Sequence, residues 1–366
     1  MKKDFTGRIK LCYLVREFKK NDHTHFAYLG NFLNELKKNF NIYLITEKTQ
    51  VFFYDFWPIR FIRMLGNLLY ARFRGYKDFY VHYSFLGAFM ASLAVKVFGG
   101  RVFYWNCGEP WKYKRNIFRE SFERAVYKSI SFFVTGTESL AKNYSEYYGI
   151  PIKKIKIMPN WINIEQVTSD MRQATSGELR KKLQIDNDKK VILFAHRLSK
   201  RKGAHYLPEI AKKLNFIIHN SSFVILIIGD GPERENIELG IRNYELRDKV
   251  RMLGWIPQNE VLRYFAIADV FIMPSDEEGF PHVILESMAT GVPFVATDVG
   301  AVRDIIPPLM HNYLVKANDT EKFSLKIAEI LSKKPEELEK IKQSLKDWVK
   351  RYDILNAINK FTELIR

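Results

Sequence analysis

The stretch Asp276-Glu277-Glu278-Gly279-Phe280-Pro281-His282-Val283-Ile284-Leu285-Glu286-Ser287-Met288-Ala289 decides the fold. Just before it, Ala268 to Ser275 reads as a buried strand. Its run Val270-Phe271-Ile272-Met273 is unbroken and apolar, and it stops at Pro274. After the Gly-Phe-Pro turn, Val283, Ile284, Leu285, Met288 and Ala289 predict a helix opening at 282–285. The segment is therefore strand, loop, helix, with the loop at the carboxyl end of a strand. Ligands of open α/β sheets bind there. The free N–H groups that open such a helix suit a phosphate. A carboxylate one turn further in, Glu286, can accept two hydroxyl hydrogen bonds, as a ribose would offer. Two glutamates eight residues apart arise readily on any exposed helix. Here Glu278 stands beside Gly279 and Pro281, and Glu286 sits among apolar neighbours, unlike residues of a solvated face.

The same rhythm runs along the chain. Ile9–Val15, Ile42–Thr46, Asp78–Tyr83, Arg101–Asn106 and Ser131–Thr135 read as strands, and Phe26–Lys38 as a helix. Thr135-Gly136-Thr137-Glu138 has the spacing of a capping box ahead of a helix at Ser139–Tyr148. The alternation restarts at Val191. Alternating strands and helices imply parallel sheets covered on both faces. At 366 residues, two domains are the default. The expected boundary lies near Pro159–Gln166, giving domains 1–162 and 163–352.

Charge is unevenly placed. Residues 1–160 hold 27 Lys+Arg against 12 Asp+Glu, an excess of +15 out of a total of +17. Such asymmetry suggests a polyanionic partner or an anionic membrane surface. Cys12 and Cys107 are too few for a disulfide framework and point to a reducing compartment. Met1-Lys2-Lys3-Asp4 does not read as a signal peptide. The longest apolar run, Phe85 to Val95, is shorter than the ~20 residues of a bilayer span.

Five ordered motifs carry a resemblance. Residues 276–289, continuing through Gly291 to Gly300, resemble the donor-binding signature of retaining GT-B glycosyltransferases, family 4 (glycosyl transferases group 1). Val191 to Leu198 with Lys202-Gly203 resembles the strand and basic loop that hold the donor diphosphate. Phe223 to Pro232, Val250 to Ile256, and Ile157-Met158-Pro159-Asn160-Trp161 resemble the next strand, the strand that meets the nucleobase, and the interdomain link. The resemblance is dense over about residues 130–305. It implies an α/β GT-B architecture, two Rossmann-like domains facing across a cleft, with the last helix (353–366) packing back on the first domain. It also implies that Phe280, Pro281, His282 and Val283, through the backbone, and the Glu278 side chain contact the donor sugar. Glu286 would hold the ribose, and the Ile256 backbone would meet the base.

Transfer from a nucleotide sugar builds negative charge on the departing diphosphate, so cations must stand there. Arg197 and Lys202, five apart in a loop after a strand, can converge on one site. With Glu278 they form the expected catalytic set. No metal site is read: Asp186-Asn187-Asp188 looks like a turn, and His23 and His25 lack ligand spacing. Two departures concern the first domain. Glu17 to His25 lacks the glycines that family members often carry after the first strand, leaving Lys19, Lys20 or Asn21 as substitutes. Where many members have a histidine, Trp105-Asn106-Cys107-Gly108-Glu109 stands instead. Asn106 and Glu109 are the acceptor-side candidates, Cys107 also fits buried packing, and His82 fits core as well as site. Stretch 57–77 mixes Trp57, Phe61, Ile62, Leu65 and Phe73 with Arg60, Arg63, Arg72 and Arg74. Lys112-Tyr113-Lys114-Arg115 adds to it. This mixture suits either an interfacial helix or an ordinary helix covering the sheet.

The sequence thus reads as a retaining, metal-independent, hexosyltransferase-type glycosyltransferase. A nucleotide sugar is its co-substrate, with no cofactor. The acceptor is a membrane-associated lipid or lipid-linked saccharide of cell-surface glycan assembly. The enzyme would be cytoplasmic and peripheral on the cytoplasmic membrane face. A soluble sugar or polysaccharide acceptor, and an inactive scaffold that binds polyanions, remain open; nucleic acid is not an expected partner.

Overall fold

A computed structural model describes residues 7–18, 27–48, 56–113, 116–173, 176–218 and 222–366. Lys19, Lys20, Asn21, His23, His25, Lys114 and Arg115 lie outside this set, as does the Trp57 side chain. The chain divides into two compact units, residues 1–160 with 355–366, and residues 161–354.

In the first unit the elements run β1 (Ile9–Val15), α1 (Ala27–Asn39), β2 (Phe40–Thr46), α2 (Trp57–Phe73), β3 (Asp78–His82), α3 (Phe85–Phe98), β4 (Arg101–Trp105), α4 (Ile117–Ser129), β5 (Phe132–Thr135), α5 (Glu138–Tyr148) and β6 (Ile155–Ile157). The strands pair in parallel in the order β2-β1-β3-β4-β5-β6. Met64 and Leu68 of α2, Ala88 and Ala91 of α3, Tyr127 of α4 and Tyr144 of α5 share one buried cluster with Cys12, Phe79 and Tyr104. Cys12 and Cys107 are fully buried and free, and burial pushes both thiols well above their usual pKa. Helix α5 is capped by Thr137, whose side chain accepts the Leu140 N–H at 3.3 Å. This corrects the capping box expected at Thr135. That residue ends β5, where a strand already uses its backbone.

In the second unit follow α6 (Ile164–Gln173), α7 (Ser176–Lys182), β7 (Lys190–Ala195), α8 (Leu207–Ile217), β8 (Phe223–Ile228), α9 (Arg234–Asn243), β9 (Val250–Gly254), α10 (Gln258–Phe265), β10 (Val270–Met273), α11 (His282–Thr290), β11 (Phe294–Thr297), α12 (Val302–Ile305), β12 (Leu314–Val315), α13 (Thr320–Leu331) and α14 (Pro335–Val349). The parallel order is β12-β11-β10-β7-β8-β9. Strand β8, Phe-Val-Ile-Leu-Ile-Ile, is buried at every position. That is why it reads as a continuous apolar run rather than an alternating one. The sheet order reverses between β7 and β10, so the loops leaving their carboxyl ends flank a topological switch point.

The last helix, α15 (Ile354–Ile365), is grouped from Leu355 onward with the first unit. Its Phe361 ring lies 4.7 Å from Tyr80, 5.6 Å from Phe32 and 5.7 Å from Phe40, centroid to centroid. Edge-to-face contacts of this kind add to the area they bury. Among the described residues, no helix is long and apolar enough to cross a membrane.

Candidate functional site

Two loops build the site. The first leaves β7 as His196 to Gly203, and the second leaves β10 as Pro274 to Pro281. They are held together by backbone. The N–H groups of Asp276 and Glu277 donate to the Arg201 carbonyl at 3.0 and 3.3 Å. Gly203 takes φ +65°, and a Cβ there would stand 1.8 Å from the Pro274 carbonyl oxygen, so only glycine permits this approach. The loop after β11 braces the second loop from behind. Ala301 N–H donates to the Gly279 carbonyl at 2.9 Å. A Cβ on Gly300, at φ +57°, would stand 1.8 Å from the Glu278 carbonyl oxygen.

Glu278, 5% exposed, lies at the centre. The Lys202 ammonium, itself 8% exposed, donates to both carboxylate oxygens at 2.8 Å. Ser275 donates its hydroxyl to Oε1 at 2.8 Å, and His196 Nε2 stands 3.3 Å from the same oxygen. Burial raises the Glu278 pKa, but Lys202 and His196 outweigh it and hold the carboxyl at about 2. Burial and Lys202 lower the His196 pKa, favouring its neutral form, although Glu278 pulls the other way. A buried ion pair is poor evidence for stability, because desolvation offsets the attraction. Its meaning here is chemical: an ionised carboxylate and an ammonium are fixed at a switch point. Asp276 accepts the Tyr206 hydroxyl at 2.9 Å, and Arg201 lies 3.9 Å from Glu277. The acidic run 276–278 is thus paired with the basic loop.

Helix α11 opens at His282, as the sequence predicts, with no side chain capping its first turn. Phe280 and Pro281 are buried, while His282 and Val283 are half-buried. The Phe280 ring packs edge-on against Tyr352 at 5.7 Å. Glu286 is buried, and its Oε1 accepts from Gln258 Nε2 at 3.0 Å. Ile256 is half-buried just past β9, which ends at Gly254 rather than at Ile256 as expected, because Gly254 turns to φ +74°. Arg197 is exposed, so only Lys202 of the expected cation pair is brought onto Glu278. Asp186-Asn187-Asp188 is a turn, closed by Lys189 N–H on the Asp186 carbonyl at 3.1 Å.

Sequence reasoning missed His196, Ser275, Tyr206 and Gln258. His196 and Ser275 had a readable signal: each is the first or second polar residue past a buried parallel strand. The partner of His196 is set by the pairing of β7 with β10, whereas Ser275 reaches Glu278 three residues on in its own loop.

In the first unit, Asn106 Oδ1 accepts the Gly108 N–H at 2.8 Å, and buried Glu109 pairs with Lys112 at 2.7 Å. His82 stacks on Trp105 at 4.2 Å and meets the Tyr13 hydroxyl at 3.3 Å, within an aromatic layer. The four arginines of α2 and its end do not form one outward face. Arg63 donates to the Thr46 and Glu47 carbonyls at 3.1 and 2.6 Å, Arg72 to the Tyr76 and Phe98 carbonyls, and Arg60 lies 3.7 Å from Glu47. Guanidinium forks are drawn inward by carbonyls that the strand and helix ends leave unpaired. Only Arg74 is exposed, over the Tyr70 ring at 5.9 Å. The outward face of α2 is instead apolar, with Phe73 86% exposed. At the start of α4, Ile117 and Phe118 are 80% and 84% exposed.

The family model described as glycosyl transferases group 1 matches residues 175–348, which hold both loops of the site. The second unit is a group 1 glycosyl transferase domain. The chain is similar to a UDP-Gal:alpha-D-GlcNAc-diphosphoundecaprenol alpha-1,3-galactosyltransferase of Escherichia coli. The two are 29% identical over 182 residues, 49% of this chain and 45% of the relative. It is also similar to a colanic acid biosynthesis glycosyltransferase of Salmonella typhimurium, described as putative, 32% identical over 139 residues, 36% of this chain and 34% of the relative. The matched part spans half or less of the length of these curated relatives. Among solved structures, HepE of Anabaena in complex with UDP and glucose superposes with TM-score 0.75 at 16% identity. It covers 98% of this chain and 99% of its own. At that identity the likeness concerns fold: two parallel six-stranded sheets with helices, the α/β fold of GT-B glycosyltransferases.

Proposed function

We propose that this chain is a retaining, metal-independent glycosyltransferase that takes a nucleotide sugar. The observation that carries the reading is the buried Lys202–Glu278 pair at the switch point of a group 1 domain. Lys202, joined by exposed Arg197, supplies positive charge to the departing diphosphate, with the uncapped start of α11 beside them. Glu278 accepts from a donor-sugar hydroxyl, Glu286 from the ribose, and the Ile256 backbone meets the base. The backbone of Phe280 to Val283 lines the sugar. Asn106 and Glu109 serve the acceptor side. The charge that a divalent ion would bring is already supplied by these side chains. The test is transfer from a panel of nucleotide sugars with and without EDTA. Transfer that survives EDTA is expected; transfer lost to EDTA and restored by a divalent ion would sink the metal-free reading.

Glu286→Ala is expected to weaken binding of UDP by about 1–3 kcal/mol, the usual cost of one lost hydrogen bond to a charged acceptor. Isothermal calorimetry on the folded variant checks this. Unchanged affinity would remove Glu286 from the ribose.

The acceptor we propose is a membrane-associated lipid or lipid-linked saccharide, met on the cytoplasmic face by a peripheral enzyme. Support comes from the +15 excess of residues 1–160, the outward apolar residues Phe73, Ile117 and Phe118, and the lipid diphosphate in the name of the Escherichia coli relative. Binding to anionic vesicles is expected, with weak binding to neutral ones and release by salt. Ile117→Ser with Phe118→Ser, and Phe73→Ser with Arg74→Ser, should cut vesicle sedimentation and leave UDP affinity intact. Equal binding to neutral and anionic vesicles, or none to either, would favour a soluble acceptor. Arg63 and Arg72 are unsuitable targets, because their substitution strips partners from backbone carbonyls.

A further inference from the structure

The donors around Glu278 are unevenly shared between its two oxygens. Oε1 accepts from Lys202, Ser275 and His196, whereas Oε2 is met by Lys202. The tautomer of His196 follows from its other nitrogen. Nδ1 accepts the Arg197 backbone N–H at 2.9 Å, so Nε2 carries the proton and donates it to Oε1. One oxygen is therefore anchored by groups belonging to both loops, and the other is held by a single flexible ammonium.

We propose that His196 is a positioning residue for Glu278. Its Nε2–H, with the Ser275 hydroxyl, fixes Oε1 so that Oε2 is presented to a hydroxyl of the donor sugar when Lys202 turns to the diphosphate. This rests on the donor-site reading given above. Turning Lys202 away would otherwise leave a carboxylate 5% exposed with little to keep it ionised, and such a group takes up a proton. A protonated carboxyl is a poorer acceptor and rotates to suit its own proton. His196 and Ser275 stay when Lys202 moves, since neither carries the charge that a phosphate attracts. The other charged groups of the two loops are Arg197, Lys200, Arg201 and Lys202 after β7, and Asp276 and Glu277 after β10. Asp276 is occupied by Tyr206, and Glu277 lies beside Arg201. His196 is thus the side chain through which the first loop can hold Glu278 independently of Lys202.

The experiment compares wild type, His196→Ala and His196→Gln. Glutamine can place an amide N–H near the position of Nε2. Release of the nucleoside diphosphate is followed across pH with whichever nucleotide sugar the wild type turns over best, and affinity for that nucleoside diphosphate (UDP for a UDP-sugar) is measured in parallel. His196→Ala should lower kcat about 10- to 100-fold, the size of one lost hydrogen bond to a charged group. Nucleoside diphosphate affinity should stay unchanged, and the acid limb of the kcat profile should move up toward neutral pH. His196→Gln should recover most of kcat and return the acid limb to lower pH. A His196→Ala enzyme with wild-type kcat and acid limb would overturn the proposal. So would a His196→Gln enzyme that is folded, binds the nucleoside diphosphate and is no better than His196→Ala. A parallel loss of nucleoside diphosphate affinity in both variants would show that His196 merely supports the loop. Failure of the wild type itself to turn over any sugar of the panel and to bind any of the corresponding nucleoside diphosphates would overturn the donor-site reading, and this inference with it.

Discussion

Glu278→Ala is expected to abolish measurable turnover and to cost the fold about 3–5 kcal/mol, the penalty for stranding one partner of a buried ion pair. Lys202 is 8% exposed, and its ammonium donates to both oxygens of this carboxylate. Removing the carboxylate leaves an ammonium in a site that water barely reaches. Glu278→Gln keeps the shape and one carbonyl acceptor, so its stability loss should be smaller while turnover still falls about 10²–10³-fold. Urea unfolding and release of the nucleoside diphosphate, measured on the same preparations, separate the two effects. A folded Glu278→Gln protein with full turnover would remove Glu278 from the chemistry.

The same pair fixes a pH dependence. The Glu278 pKa is depressed from its ordinary 4.5 to about 2, so its stabilising contribution is complete above about 4.5 and is lost as the pH falls toward 2. His196 is also depressed below its ordinary 6.5, so the unfolded chain takes up that proton first as pH falls, and stability begins to decline there. Acid unfolding should therefore be shallow beneath pH 6.5 and steepen below 4.5. In Glu278→Gln the steeper part should be reduced.

Gly300→Ala is expected to cost more than its single methyl group suggests. The new Cβ would lie 1.8 Å from the Glu278 carbonyl oxygen, at a backbone φ of +57° that alanine disfavours. The loop carrying Glu278 must then move by an ångström or more. Displacements of that size at a reacting centre cost about 10²-fold in rate. The backbone strain adds ~1 kcal/mol or more of instability. Gly66→Ala is the control, since it lies in α2 with open space around it. That change should be neutral or stabilising by up to about 1 kcal/mol. Equal behaviour of the two variants would mean that the loop after β11 does not brace the site.

Much of this arrangement was legible in the sequence, for identifiable reasons. β8 and β10 are apolar at every position because a parallel sheet buries both faces, and turn residues mark where each stops. The helix opening at His282 was legible from Gly279 and Pro281 on one side and apolar periodicity on the other. What stayed hidden depends on which strands become neighbours. Lys202 and Glu278 are 76 residues apart, and only the pairing of β7 with β10 brings their loops together. A list of residues identifies both as candidates for the same ligand; it does not show that each already holds the other. The arginines of stretch 57–77 were misleading for a related reason. A charged residue in an amphipathic pattern is read as outward, whereas Arg63 and Arg72 turn in to carbonyls at element ends. Only tertiary packing reveals that demand.

The two cysteines lend the molecule an internal clock. Cys12 and Cys107 both belong to the first unit, both are sealed from solvent, and no cysteine lies in the second. A thiol-reactive dye can reach either sulfur only after strand β1 or the segment following β4 has come away from its neighbours. The rate of labelling therefore times the opening of the first unit alone, while intrinsic fluorescence sums both units, with Trp57, Trp105 and Trp111 in the first and Trp161, Trp255 and Trp348 in the second. Opening of the first unit could be set against unfolding of the whole chain in this way on the unmodified protein, with no engineered probe.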